Sequence, residues 1–145
     1  MNLTIVPAVP EDIPMLLAQN RQLIESWEDP AAIDLPRVLA WEERKINKYL
    51  HQYRRILLES RTVGYFRLNP GEGETELDDF YVLPEYRGRG IGTAVLDAIL
   101  SKNKTPVTLC VFTANTGAVK LYRRFGFAVT EHISPTRCAM RREVP

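Results

Sequence analysis

The stretch Pro84-Glu85-Tyr86-Arg87-Gly88-Arg89-Gly90-Ile91-Gly92-Thr93 constrains this chain most, because three alternating glycines join a strand-like run to a helix-like one. Before it, residues 77–82 end in aromatic and β-branched side chains suited to a strand. After it, Ile91, Ala94, Val95, Ala98 and Ile99 recur at helical spacing. A helix starting there offers unpaired backbone N–H groups at the positive end of its dipole, and glycines let an anion approach the backbone. Arg87 and Arg89 add two cations. The stretch reads as a phosphate cradle, against the plainer alternative of a turn with a basic rim.

The remainder must supply a core around this junction. With 145 residues, 45% hydrophobic and 26% charged, the composition is globular and the length suits one domain over residues 1–145. A formal charge of +1, from 19 basic and 18 acidic side chains, gives no net drive toward nucleic acid or an anionic membrane. Arginines occur as scattered pairs at 54–55, 123–124 and 141–142. No apolar run approaches the roughly 20 residues that span a bilayer, and no basic-then-apolar leader opens the sequence, so a cytoplasmic location is expected. Cys110 and Cys138 lack metal-ligand spacing and sit in apolar, strand-like runs. Buried free thiols and no metal site are the expectation.

Taken in order, residues 3–6 form a strand, and Pro10-Glu11-Asp12 opens a helix with proline and acids in its first turn. Its apolar stripe runs from Ile13 to Trp27 and stops at Asp29-Pro30; Asp34 and Pro36 open a second helix. Residues 56–58 and 63–66 make a hairpin across a Ser60-Arg61 turn, and Asn69 to Gly73 turns the chain into a third strand over 76–82. The helix after Gly90 ends near Lys102-Asn103-Lys104, and residues 107–112 form the next strand, a parallel crossover. Asn115 or Thr116 caps a fourth helix ended by Gly126, and residues 127–133 and 137–140 close the chain as strands.

A dinucleotide fingerprint starting at Gly88 would need glycine where Thr93 stands, and no Walker Gly-Lys-Ser/Thr follows. Arg87-x-x-Gly90-x-Gly92 instead resembles the acyl-CoA pyrophosphate loop of the GNAT superfamily of N-acetyltransferases. Asn115, Ala118, Leu121-Tyr122 and Phe125-Gly126-Phe127 are similar to that family's second motif at its usual spacing. The resemblance covers essentially the whole chain. It implies a mixed α/β fold with a central, mainly antiparallel sheet of six to seven strands, about four helices and splayed strands at the acyl-CoA site. It also implies acetyl-CoA as co-substrate, held by Arg87, Gly88, Arg89, Gly90, Ile91, Gly92, Thr93 and Asn115. The backbone of Tyr81 and Val82 would pair with the pantetheine arm.

Acetylating an amine needs a route for its proton, because its unperturbed pKa is about 10.4, and the departing thiolate benefits from an acid. Tyr122 matches the family tyrosine that protonates the coenzyme A sulfur, although its place on an apolar helix face also suits a core aromatic. Glu76 stands where some members carry a catalytic glutamate, and strand alternation puts Asp78 on the same face and Asp79 on the other. A solvated strand start accounts for the same acids. The alternative family position for that glutamate is Cys110 here. The fold that the resemblance implies directs the acceptor toward Trp27, Glu28, Trp41 and His132, where acids would receive a cation and a tryptophan would cover it. The expected acceptor is a small-molecule amine or amino acid, with a peptide α-amine or protein lysine, or a non-catalytic acyl-CoA-binding module, as rivals. Monomer and homodimer both fit.

Overall fold

The hairpin shows how local residue choice sets geometry. In the computed structural model, which describes residues 1–145, β2 (Tyr53–Leu58) and β3 (Arg61–Pro70) pair antiparallel. Glu59 and Ser60 between them both adopt left-handed backbone, with φ of 49° and 69°, as the commonest two-residue hairpin turn requires. The turn thus lies one residue before the expected Ser60-Arg61. The other strands are β1 (Leu3–Pro7), β4 (Thr75–Val82), β5 (Val107–Phe112), β6 (Ala128–His132) and β7 (Arg137–Arg142). Together they form one seven-stranded sheet in the order β1-β2-β3-β4-β5-β7-β6. The pairs β1–β2, β2–β3, β5–β7 and β6–β7 are antiparallel, and β4–β5 is parallel. Four helices complete a mixed α/β fold: α1 (Ile13–Trp27), α2 (Leu35–Lys48), α3 (Ile91–Lys102) and α4 (Thr116–Arg124).

Backbone contacts divide the chain into two units, Met1–Arg67 with Asp79–Leu83, and Leu68–Asp78 with Pro84–Pro145. In the first, Leu16, Ile46, Tyr53 and Tyr65 form a buried cluster against which Ala8, Ile13, Leu17, Tyr49 and Leu50 pack. A 3₁₀ turn at Pro10–Asp12 precedes α1. Asp12, expected as a first-turn acid, is buried. Its carboxylate accepts from the Val9 N–H at 2.8 Å and the Tyr65 O–H at 2.7 Å, and these bonds offset the desolvation. Asp34 caps α2 by accepting the Arg37 N–H at 3.3 Å.

In the second unit, Ile91, Val95, Leu96, Ile99 and Leu100 of α3 are buried, as are Val107, Leu109 and Val111 of β5. The alternation of β5 sends Cys110 to the opposite face, where it is exposed; only Cys138 is a buried thiol, and both are free. The expectation of two buried thiols fails for Cys110 because an apolar run hides which face each residue takes. Gly126, at φ 91°, ends the α4 segment, and Arg142 Nε donates to the Phe125 carbonyl at 2.8 Å.

Candidate active site

The loop that leads into α3 is built as its glycines suggest. Gly88 and Gly90 have φ of 78° and 80°, a region L-residues enter at a cost, and a Cβ on either would meet no atom within 4 Å. They are needed for backbone conformation, and the space beside them is open. Gly90 is the N-cap of α3 and supplies no side chain, so the first amides of a 12-residue helix have no side-chain acceptor. Arg87 and Arg89 are exposed beside them, and the Arg89 guanidinium lies 5.3 Å from the Tyr86 ring centre. An uncapped helix start, an open backbone and two cations fit a diphosphate.

Gly92, in the first turn of α3, packs toward α4: a Cβ there would lie 3.5 Å from Leu121 Cδ2. Next to Leu121 stands Tyr122, 8% exposed, its ring edge-on to Phe127 at 5.6 Å. Burial pushes the Tyr122 phenol above its ordinary value of 10.0, and the negative charge of Asp78 adds to the rise. Asn115 accepts the Ala118 N–H at 3.4 Å and so sets the start of α4. Asn115 is thus the cap of α4, one of the two candidates that the sequence offered.

The parallel ladder between β4 and β5 comprises Thr75↔Val107 and Glu76↔Thr108. Glu76 is exposed and Asp78 half-buried. The Cys110 thiol is raised, first by desolvation in its sheet setting, then by Glu76, Asp78 and Cys138, while Arg137 opposes. Both acids therefore act electrostatically on the face that carries Cys110, and Asp78 acts on Tyr122 as well. His132 is exposed on β6, opposite Cys138 of β7.

The remaining named residues belong to the first unit. Tyr81 is buried and donates its O–H to Gln22 Oε1 at 2.8 Å, and Val82 follows it at the end of β4. Trp27 ends α1 and is half-buried; Glu28 caps that helix and accepts the Asp29 N–H at 3.1 Å. Trp41 of α2 is 55% exposed, with Lys45 Nζ 5.6 Å from its ring centre. One group escaped the sequence reading: Asp79, at φ 52°, accepts the Tyr53 O–H and pairs with Lys45 Nζ at 3.1 Å. No spacing signals partners that are 26 and 34 residues away. The one available sign is that aspartate tolerates left-handed backbone better than most residues.

Residues 15–127 match the model of the acetyltransferase (GNAT) family. Over 60 residues, 39% of this chain and 26% of the relative, the sequence is 37% identical to an uncharacterized N-acetyltransferase of Methanocaldococcus jannaschii. Over 54 residues, 34% of this chain and 32% of the relative, it is 41% identical to the thialysine N-epsilon-acetyltransferase of Mus musculus. The matches thus span 26% and 32% of the length of these curated relatives. The fold is similar to that of the PaiA N-acetyltransferase from Thermoplasma acidophilum crystallised with coenzyme A, with a TM-score of 0.76 at 18% identity over 99% of each chain. The glycine-bounded start of α3 and a family match across residues 15–127 lead to one conclusion: the chain belongs to the acetyltransferase (GNAT) family.

Proposed function

We propose that this protein transfers the acetyl group of acetyl-CoA to a primary amine of a small molecule by direct attack of the amine on the thioester. The observation that supports this reading is the start of α3, where Gly90 supplies no side-chain cap and open space lies beside Gly88 and Gly90. In this reading the amides of residues 88–93 and the side chain of Arg87 hold the diphosphate, and the backbone at Tyr81 and Val82 receives the pantetheine arm. The amine nitrogen forms the new C–N bond as the C–S bond breaks; the amine loses one proton and the sulfur gains one. Tyr122 supplies the sulfur's proton, which its raised pKa keeps in place at neutral pH.

Asp78 takes the amine's proton in preference to Glu76. It is less exposed, and its charge is the one felt at Tyr122. Alignment of the two reactants supplies the larger share of the acceleration, roughly 7–11 kcal/mol against roughly 10²–10⁴-fold for acid–base help. The relative named for thialysine, a small amine, supports the acceptor class. The test is release of coenzyme A from acetyl-CoA with a panel of small amines and of peptides bearing a free N-terminus. Turnover confined to the peptides would move the acceptor to that class. Acetyl-CoA binding with no turnover on any amine would make the protein an acyl-CoA-binding module.

A further inference from the structure

Three non-glycine residues have positive φ. Glu59 and Ser60 form the hairpin turn, so Asp79, at φ 52°, is the one that lies within a strand. Aspartate enters this region more readily than most residues, and such an outlier persists where its surroundings impose it. Here the surroundings come from three elements. Tyr53 of β2, fully buried, donates its O–H to Asp79 Oδ2, and Lys45 Nζ of α2 pairs with the same oxygen at 3.1 Å. Gln19 Nε2 of α1 donates to the Asp79 carbonyl oxygen at 3.3 Å. Side chain and main chain of one residue are thus fixed together. The side chains of Asp79 and Lys45 keep 9% and 11% exposure, so water competes weakly for these contacts.

The residues that follow are held as well. Tyr81 donates its O–H to Gln22 Oε1 at 2.8 Å, and Gln22 stands one helical turn from Gln19, so α1 grips this end of β4 at two points. The Leu83 N–H donates to the Val63 carbonyl at 2.8 Å, and a Cβ on Gly64 would lie 2.2 Å from the Tyr81 carbonyl oxygen. Every one of these groups belongs to the first unit. An ion pair that serves stability alone is the plainer reading, and it accounts for Lys45. It gains nothing from left-handed backbone in mid-strand or from a second hold on the Asp79 carbonyl.

We propose that Asp79 is a positioning residue: Tyr53, Lys45 and Gln19 lock it in left-handed backbone, and this lock sets the course of the main chain at Tyr81 and Val82 for the pantetheine arm. The proposal rests on the reading above that this backbone receives the arm. It adds which side chains hold that backbone in place.

Pantetheine alone is the probe, with the nucleotide half of coenzyme A, 3′-phospho-ADP, as the control ligand. In NMR titrations of the whole protein, pantetheine should shift the Tyr81 and Val82 amides saturably. Asp79→Gly, which permits the same φ but removes the carboxylate, should raise the pantetheine Kd by about tenfold. Asp79→Asn keeps an oxygen that accepts from Tyr53 and tolerates the same backbone, so it should lose less. Tyr53→Phe, which keeps the ring in the core, should also weaken pantetheine. Binding of 3′-phospho-ADP should stay unchanged in all three variants. If pantetheine shifts these amides equally in the native protein, Asp79→Gly and Tyr53→Phe, the positioning role falls and the cofactor reading stands. Equal weakening of both ligands reduces Asp79 to a stability residue and overturns the proposal. Absence of any shift at Tyr81 and Val82 in the native protein overturns both the proposal and the placement of the arm.

Discussion

At the scale of single residues, the proposed division of the proton work between Tyr122 and Asp78 draws on settings that differ in kind. The phenol is buried and raised above 10.0, so it stays protonated throughout the physiological range. Tyr122→Phe should therefore lower kcat by about 10²-fold, by the same factor at every pH from about 6 to 9, with little change in acetyl-CoA KM. A loss that vanished toward pH 9, measured by coenzyme A release, would remove the acid from its role. Tyr122 was legible in the sequence only through the motif, because its helical periodicity equally suits a core residue. The structure buries it and brings the charge of Asp78 to bear on it. The burial of Asp12 has no local sign, since its partner Tyr65, which donates to it, lies 53 residues away.

At the scale of elements, two glycines serve different ends and should fail differently. Gly90 has open space around it and a φ of 80°, so Gly90→Ala carries a conformational cost of about 1 kcal/mol and disturbs the loop proposed to hold the diphosphate. Gly64 lies where a Cβ would stand 2.2 Å from the Tyr81 carbonyl oxygen of β4, so Gly64→Ala forces backbone apart at a cost of about 1–3 kcal/mol. Denaturant midpoints should rank Gly64→Ala as the more destabilised, while acetyl-CoA KM should rise more in Gly90→Ala. The reverse ranking in both measurements would reject this division of roles. Gly90 was readable from the alternating pattern Arg87-Gly88-Arg89-Gly90-Ile91-Gly92. Gly64 was not, since nothing local marks a position where another strand's backbone comes close.

For the whole molecule, two buried tyrosines tie stability to pH. Tyr65, raised by burial, then by its hydrogen bond to and the charge of Asp12, and Tyr122, raised by burial and Asp78, both bind their protons more tightly when folded than at the ordinary 10.0. The folded state then holds more protons than the unfolded state above pH 10, so stability is full below that value and falls as pH climbs past it. Unfolding by urea at about pH 8 and about pH 11 should show the drop, and Tyr65→Phe should make its slope shallower despite a lower stability at pH 8. A slope unchanged by that substitution would reject the linkage to Tyr65. The sequence by itself determined the order of strands and helices along the chain, the glycine entry to α3 and the family, and narrowed the α4 cap to Asn115 or Thr116, because each depends on neighbours within a few positions. Tertiary structure alone decided that Asp12 is buried, that Cys110 faces solvent, and that Gln19, Lys45, Tyr53 and Asp79 meet. Those outcomes depend on strand register and on side chains distant along the chain, which no local period encodes.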